Sequence, residues 1–394
     1  MTEGRTCRAC GGRDLRGIYR VERVPVHSCL MVDTRTAALD FPCGDVDLAF
    51  CNTCGFIQNC RYDPSLQAYS PAYEETQFFS PHFRRFLEDL CDDQNARYRL
   101  RGRTVLEIGC GKGEFLATLC ERAECWGIGI DPGYRPERMV SAAEGRLRFI
   151  QDFYDSSYAD LQADYVCCRH TLEHIRDVAD FMRLVRQPIG GRADVAVFFE
   201  LPDTERVLVE AAFWDIYYEH CSYFTLGSLA RLFRRTGFAP HRLWKAYDDQ
   251  YLMMEATAAS SGAGPLLPGE DDLERTRQQV DRFVAAVGAR IEELKSQLGL
   301  WRKAGKTVVL WGSGSKAVSY LTTLGVTDEV EAVVDINPHK HGKFLAGTGH
   351  EIVAPEVLAR IRPDCVVIMN AIYIDEIRDD LQRLGLKPEI TALA

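Results

Sequence analysis

A short apolar strand, a glycine-rich turn and a helix follow one another over residues 104–122, and this succession constrains the fold more than any other feature. The strand reads TVLEI, the turn reads GCGKG, and a second strand at 126–130, WGIGI, ends in Asp131. Glycines let the backbone pass close to a ligand at the carboxyl edge of a parallel sheet. An acidic residue at the end of the second strand can accept hydrogen bonds from the hydroxyls of a ribose. The segment therefore predicts an α/β unit that binds a nucleotide-like cofactor.

The charges around the glycine turn distinguish two possible cofactors. A nicotinamide site needs a third glycine where the pyrophosphate rests on the helix N-terminus, and this turn lacks it at the required offset. Glu107 at the end of the strand and Glu114 at the start of the helix disfavour pyrophosphate. The same carboxylates suit the sulfonium and ammonium groups of S-adenosylmethionine.

The run E-x-G-x-G-x-G, followed by a strand ending in G-x-D, resembles the class I S-adenosylmethionine-dependent methyltransferases. In such enzymes an acidic residue after the third strand binds the adenine amine, and Asp152 occupies that position here. The cofactor-binding residues expected from the resemblance are Glu107, Gly109, Gly111, Gly113, Asp131, Asp152 and His170.

Four cysteines in two C-x-x-C pairs predict a small metal-binding unit near the N-terminus. The pairs are Cys7 with Cys10 and Cys51 with Cys54, and a glycine after each pair permits a tight turn. Four thiolates complete a tetrahedral Zn²⁺ site without an open position, so this metal is expected to be structural. Most of the other cysteines, 15 in all, are expected to be small apolar core residues rather than disulfide partners.

A polar cluster at 214–224, WDIYYEHCSYF, is predicted to carry the chemistry. Tyr217, Glu219 and His220 supply acid and base groups without a metal, and a carboxylate next to a histidine can raise its basicity. The alternative is a loop whose aromatic side chains only pack on the core. Residues 170–174, HTLEH, match the inverted zinc-protease motif. Their position directly after a strand favours contact with substrate instead.

A linker and a second α/β unit follow. Residues 257–272 are rich in Ala, Ser, Gly, Pro and Asp, and a long amphipathic helix is expected at 273–304. The strand beginning at Thr307 is followed by the loop GSGSK, in which Gly314 and Lys316 could hold a substrate phosphate. The unit could equally be a docking domain.

Length, charge and hydrophobicity exclude several classes of function. The 394 residues are too many for one compact domain, and the 46% hydrophobic content excludes wholesale disorder. No apolar run of about 18 residues is available to span a membrane. The net charge of −10, without any basic segment, makes nucleic acid an unexpected partner. Because no secretory signal is recognised, we expect a cytoplasmic protein, either a monomer or a weak dimer, that acts on a small molecule.

Taken in order, the cysteine pairs, the glycine turn and the Tyr-x-Glu-His cluster resemble one family over essentially the whole chain. It is the zinc-containing, S-adenosylmethionine-dependent sugar C-methyltransferases, which methylate a ring carbon of nucleotide-linked keto-deoxysugars. The resemblance implies an α/β protein with a small zinc domain at 1–65 and a class I methyltransferase domain at 66–260. A linker helix and a Rossmann-like domain that helps to hold the nucleotide sugar would occupy 261–394.

The resemblance also implies roles for individual residues. His220 would be the base that removes a proton from the carbon next to the ketone, and Glu219 would tune it. Tyr217 or His174 would donate a hydrogen bond to the enolate oxygen. The substrate-binding residues expected are Tyr73, Tyr223, Gly314 and Lys316.

Three departures from the family pattern leave other functions open. Tyr218 replaces a histidine of the family motif, His170 replaces an asparagine, and residues 248–251, DDQY, replace a His-Gly-Gly-Ser run. One alternative is an O- or N-methyltransferase for another small molecule. The other is a catalytically silent homologue that binds a nucleotide sugar.

Overall fold

Three sheets in chain order organise the protein, whose structure is a computed structural model. It describes residues 6–67, 72–138, 141–259 and 264–393. Among the helices of these segments, none combines the length and the apolar character needed to cross a lipid bilayer.

The first sheet is antiparallel and contains four strands in the order β1-β2-β3-β9. Its strands are β1 (Leu15–Pro25), β2 (Cys43–Cys51), β3 (Ile57–Asn59) and β9 (Ser222–Tyr223), and the short helix α1 is Arg35–Leu39. The strand β9 comes from the Tyr-x-Glu-His region, more than 150 residues further along the chain. The N-terminal sheet is therefore completed by the segment that carries the predicted catalytic residues, a pairing that the sequence does not predict.

The second sheet has seven strands in the order β10-β11-β8-β7-β4-β5-β6. They are β4 (Thr104–Ile108), β5 (Trp126–Ile130), β6 (Leu147–Ile150), β7 (Tyr165–Arg169), β8 (Ala196–Pro202), β10 (Phe238–Ala246) and β11 (Tyr251–Ala258). All pairings are parallel except those of β11, which runs against both of its neighbours. This arrangement confirms the predicted α/β class I methyltransferase fold.

Helices cover both faces of the seven-stranded sheet. They are α2 (Pro81–Tyr98), α3 (Glu114–Ala123), α4 (Val178–Ile189), α5 (Thr204–Glu210) and α6 (Leu226–Arg235). One apolar core joins α2 and α3 to the sheet, and a second joins α4 and α6. After β4 the chain builds β5 and β6 on one side and then returns to β7 on the other. The carboxyl ends of β4 and β7 thus flank a topological switch point, where ligands of open α/β sheets bind.

The helix α7 (Leu273–Lys303) leads to a third sheet, which is parallel and has the order β14-β13-β12-β15-β16. Its strands are β12 (Val308–Trp311), β13 (Ala332–Val334), β14 (Ile352–Val353), β15 (Cys365–Ile368) and β16 (Glu389–Ala392). The helices of this part are α8 (Ser315–Leu324), α9 (Leu358–Ile361) and α10 (Ile374–Arg383). This is the second α/β unit expected from the loop GSGSK.

A shared apolar core holds the first and third sheets together. It contains buried side chains of β1, β2, α7 and α8, with Phe213, Trp214 and Tyr218 between them. Tyr218, which replaces a histidine of the family motif, is buried and donates a 3.5 Å hydrogen bond to the carbonyl of Asp63. At this departure from the family pattern, Tyr218 is thus a packing residue.

Candidate active site

A cavity of about 1240 Å³ opens at the carboxyl edge of the seven-stranded sheet and is also lined by residues of the first and third sheets. Its volume exceeds the few hundred to about 1,000 Å³ that a single drug-sized ligand needs. Almost all residues predicted to act in catalysis or binding line it: Tyr73, Glu107, Gly109, Gly111, Asp131, Asp152, His170, His174, Tyr217, His220, Tyr223, Gly314 and Lys316. Gly113 and Glu219 do not.

The glycine turn leaves no room for side chains. Gly109 and Gly111 have φ angles of +73° and +54°, which favour glycine. A Cβ on Gly109 would collide with the Oγ1 of Thr171, and a Cβ on Gly111 would lie 2.9 Å from the Oε1 of Glu75. Gly113, with φ +84°, forms the N-cap of α3 and so positions the helix rather than the cavity wall.

Glu107, at the end of β4, is the buried acid of the predicted cofactor site. Within the described segments, its Oε2 atom has no hydrogen-bond partner. Burial raises the pKa of this carboxyl to about 8, against the attraction of Arg169. A buried acceptor without a partner is unusual in a folded protein. The ammonium group of S-adenosylmethionine is the kind of cationic donor that fits it.

Two further acids lie at the rim of the predicted cofactor site. Asp131 accepts hydrogen bonds from the backbone N–H groups of Gly111, at 2.9 Å, and Gly133, at 2.6 Å. These bonds fix the turn after β5 against the glycine turn. Asp152 is exposed and accepts a 2.6 Å hydrogen bond from the hydroxyl of Tyr158.

The chain from Tyr73 to Glu75 lies over the glycine turn, a contact that the sequence did not predict. Lys112 of the turn is buried, and its Nζ donates to the carbonyl oxygens of Tyr73, at 2.7 Å, and Gly133, at 3.0 Å. It also pairs with Glu75 at 3.3 Å, and burial raises the pKa of the Glu75 carboxyl to about 7. A lysine inside a turn flanked by acids was the available signal. Its partners, nearly 40 residues away, could not be inferred.

His170 begins the loop after β7 with a φ of +47°, a conformation that few non-glycine residues adopt. Its Nε2 donates to Glu200 Oε1 at 2.9 Å, and Glu200 also binds Arg169. Burial would lower the pKa of His170, but hydrogen bonds with Glu173 and Glu200 outweigh it and raise that pKa to about 9. His170 is therefore a cation in the wall of the cavity, and Glu200, which orients it, was not predicted.

The predicted base, His220, is 6% exposed and lies among aromatic and imidazole rings. Its ring centroid is 4.1 Å from that of Tyr217, 4.8 Å from that of His174 and 6.2 Å from that of Tyr223. Burial, followed by repulsion from His174 and His170, holds the pKa of His220 well below its usual range. The imidazole is therefore neutral and has a lone pair on one ring nitrogen, but the lowered pKa makes it a weaker base than an ordinary histidine.

The Glu219 side chain, predicted to tune His220, is held by residues of the N-terminal part of the chain. The Glu219 carboxylate accepts a 2.8 Å hydrogen bond from His27 Nδ1 and is also bound by the backbone and hydroxyl of Ser28. Its backbone carbonyl accepts a 3.1 Å hydrogen bond from His174 Nδ1. The carboxylate of Glu219 therefore fastens residues 214–224 to the N-terminal part of the chain, and its backbone carbonyl orients His174.

The carboxylate that does lie beside His220 is Glu173. It belongs to a group of three residues called the histidine cluster: Glu173, His174 and His220. Each offers one possible ligand atom, and these three atoms lie within 4.8 Å of one another. Glu173 is 3% exposed, and its Oε1 is 3.6 Å from His170 Nδ1. The motif HTLEH contained this residue, but the proximity to His220 depends on the fold.

The remaining predicted substrate residues also line the cavity. Tyr73 packs against His27, with ring centroids 6.0 Å apart, and the Tyr223 hydroxyl donates to the Tyr217 carbonyl at 3.4 Å. Lys316, at the start of α8, pairs with Asp215 at 3.2 Å, and burial lowers its pKa. Gly314 leaves open space at the N-terminus of α8.

The four predicted metal ligands meet in the N-terminal part of the chain and are called the cysteine cluster: Cys7, Cys10, Cys51 and Cys54. The Sγ atoms of Cys7 and Cys54 are 3.6 Å apart, and those of Cys10 and Cys51 are 3.7 Å apart. A tetrahedron with Zn–S bonds of about 2.3 Å has edges of about 3.8 Å. The four thiols therefore fit a tetrahedral metal ion.

Protein-family models match most of the chain in two parts. Residues 82–243 match a methyltransferase domain, and residues 256–387 match a C-methyltransferase C-terminal domain. The C-methyltransferase NovU of Streptomyces niveus is 25% identical to this chain over 413 aligned positions, which cover 95% of this chain and 91% of that protein.

Solved structures of methyltransferases resemble part of the chain. One is the 1,6-didemethyltoxoflavin-N1-methyltransferase of Burkholderia thailandensis, with a TM-score of 0.34 and 16% identity over 44% of this chain and 79% of that chain. Another is the magnesium protoporphyrin IX methyltransferase of Synechocystis, with a TM-score of 0.35 and 16% identity over 45% of this chain and 84% of that chain. With its two matched domains, this chain is an S-adenosylmethionine-dependent methyltransferase.

Proposed function

We propose that this S-adenosylmethionine-dependent methyltransferase methylates a carbon next to a ketone, in a nucleotide-linked keto-deoxysugar. Two findings support carbon as the methyl acceptor: the C-methyltransferase C-terminal domain and the similarity to NovU along nearly the whole chain. The cavity of about 1240 Å³ supports a large second substrate beside the cofactor.

The observation that carries the proposal is the place of the buried His220 imidazole in the cavity wall, against the rings of Tyr217 and His174. A C–H bond next to a carbonyl ionises only when a base takes the proton and a donor stabilises the enolate oxygen. His220 is the proposed base. Tyr217 or His174, whose rings contact it, is the proposed donor to the enolate oxygen. Because the Nδ1–H of His174 already binds the carbonyl of Glu219, His174 would donate from Nε2 only with both ring nitrogens protonated.

S-adenosylmethionine, when bound, supplies the electrophilic methyl group. The buried carboxyl of Glu107 would hold its ammonium group, and the glycine turn would let it approach the backbone. Asp131, Asp152 and His170 are proposed to complete the cofactor site. Holding both reactants in one cavity would also lower the entropic part of the activation barrier, because they no longer have to meet in solution.

The substrate is proposed to extend towards the third sheet. Lys316 and the open N-terminus of α8 at Gly314 offer positive charge and backbone donors, which suit a phosphate group. Tyr73 and Tyr223 would contact the sugar. Because Asp215 already pairs with Lys316, a bound phosphate would have to share or replace that partner.

We also propose that the cysteine cluster holds a structural Zn²⁺. All four thiolates would be ligands, so no coordination position remains for substrate. The support is the distance between the sulfur atoms, which matches the edge of a tetrahedral site.

The test is the substitution His220→Asn. Proton removal by a positioned base contributes about 10²- to 10⁴-fold to turnover, so kcat should fall by that factor. Affinity for S-adenosylhomocysteine should stay nearly unchanged. With the keto sugar in D₂O and no methyl donor, the wild type should exchange the proton next to the ketone, and the variant should not.

His174→Asn serves as the comparison within the same site. Losing an enolate donor should slow methylation and still leave some exchange, because the base remains. Exchange retained in His220→Asn and lost in His174→Asn would reverse the two roles. Methylation by the wild type without any exchange would instead indicate an oxygen or nitrogen acceptor.

A further inference from the structure

The histidine cluster contains a buried carboxylate oxygen that nothing in the described part of the chain satisfies. Glu173 is 3% exposed, and its Oε2 has no hydrogen-bond partner there. A buried acceptor that is left without a hydrogen bond destabilises the folded protein, because the group has lost its water and gained nothing in return. One carboxylate oxygen of Glu173 lies within 4.8 Å of a ring nitrogen of His174 and of His220.

We propose that Glu173, His174 and His220 form a second metal site, for a divalent cation of the Zn²⁺ class. Two imidazole nitrogens and one carboxylate oxygen are the donor set that such ions take in sites with an open position. All three side chains line the cavity, so the open position faces the substrate space. The closed cysteine cluster differs from it in offering four sulfur ligands and no such position.

The surrounding residues hold the ligands in the orientation that a metal needs. His174 Nδ1 donates to the backbone carbonyl of Glu219, so the lone pair of that ring lies on Nε2. The carboxylate of Glu219 is in turn fixed by His27 and Ser28. Hydrogen bonds that fix the tautomer of a ligating histidine are a regular feature of protein metal sites.

The other oxygen of Glu173 has a different neighbour. Its Oε1 lies 3.6 Å from Nδ1 of His170, whose Nε2 is bound to Glu200. The two oxygens therefore have separate roles, because Oε1 faces His170 and Oε2 is left for the cation. Glu200 also pairs with Arg169, so its one carboxylate is shared between that guanidinium and the ring of His170.

Occupation of this site would inhibit methylation. A ring nitrogen of His220 that is bound to a metal cannot also accept a proton from the substrate. The cation site itself does not depend on the proposed function, whereas this inhibition rests on the role of His220 as base. A metal-binding measurement and an activity measurement can therefore fail separately.

Calorimetric titration with Zn²⁺ tests the site in the full-length protein, purified with its cysteine cluster loaded. We expect one further equivalent to bind to the wild type. Glu173→Gln and His220→Asn should weaken this binding by at least about 10- to 100-fold, the loss known for residues that merely support metal ligands. His241→Asn, which changes a 42% exposed histidine outside the cavity, should bind as the wild type does.

The result that overturns the inference is either no second equivalent or equal binding by Glu173→Gln. Far-UV circular dichroism checks that each variant folds. Should Glu173→Gln fail to fold, Glu173→Asp keeps the charge, withdraws the oxygen by one methylene and should also weaken binding. Co²⁺ in place of Zn²⁺ gives an absorption spectrum that separates nitrogen and oxygen ligands from the sulfur ligands of the cysteine cluster.

Activity provides the second arm. Zn²⁺ added to the wild-type enzyme with its cysteine cluster already loaded should inhibit turnover, and a mild chelator should restore it. Metal bound without inhibition would keep the site and contradict His220 as base. Inhibition that is the same in Glu173→Gln, if that variant is active, would place the inhibitory metal elsewhere and overturn the inference.

Discussion

The cysteine cluster and the histidine cluster are both groups of potential metal ligands, yet their surroundings differ. The four sulfurs converge on one point, with 3.6 Å and 3.7 Å between the paired atoms. The histidine cluster borders a large cavity and contains a buried oxygen that has no partner among the described residues. The first arrangement is closed and suits a structural role. The second leaves room for substrate and suits chemistry.

The two clusters are also joined by the fold. The strand β9, which follows His220 directly, pairs with β3 of the first sheet. Glu219 adds the buried bonds to His27 and Ser28. A structural metal at the N-terminus would thus help to position the catalytic segment, although the two sites are far apart in sequence.

The largest expected effect is that of Cys51→Ser, which removes one ligand of the closed cluster. Structural Zn²⁺ contributes about 10–16 kcal/mol of apparent binding free energy in small zinc domains, and most of it is folding free energy. Bound metal and soluble yield should therefore fall together, as measured by elemental analysis and size exclusion. Cys43→Ser, an exposed cysteine outside the cluster, is the matched control. A stable, metal-free Cys51→Ser protein would remove the contrast between the two clusters.

A smaller effect, confined to the predicted cofactor site in the cavity, is expected for Gly111→Val. A β-branched residue is strained at φ +54°, and its side chain would approach Glu75 and the cofactor space. Binding of S-adenosylhomocysteine should weaken at least about 100-fold, or about 3 kcal/mol, with the far-UV spectrum retained. Gly191→Val is the control, because nothing lies within 4 Å of a Cβ there. Equal binding by both variants, or binding of NADH to the wild type, would contradict the cofactor assignment.

The features that the sequence could predict are those formed by residues close together in the chain. The cysteine pairs and the glycine turn are local patterns, because the spacing of a few residues already determines their geometry. The class I sheet follows from the order of such units. These parts of the fold are confirmed, and the assignments of individual site residues stay predictions.

The orientation of Glu219 could not be predicted, because it depends on partners about 190 residues away. The cover over the glycine turn, formed by Lys112 with Glu75, is likewise a long-range contact. Glu173 and Glu200 were visible in the sequence only as acids near strand ends. Their importance arises from burial, which a single sequence does not report.

The last prediction concerns the proton on Glu107 and is the smallest in effect. Burial raises the pKa of this carboxyl to about 8, so at pH 7 the free protein holds it mostly protonated. The ammonium group of S-adenosylhomocysteine stabilises the ionised form, so binding should release a proton below pH 8. Affinity should then rise with pH, by less than about tenfold from pH 7 to pH 8, and level off above.

Calorimetry at pH 7 in two buffers with different ionisation enthalpies should detect close to one released proton. Glu107→Gln, which cannot ionise, should bind more weakly and lose the proton release. If the wild type binds without releasing a proton, Glu107 does not hold the ammonium group, and its assignment to the cofactor site is wrong.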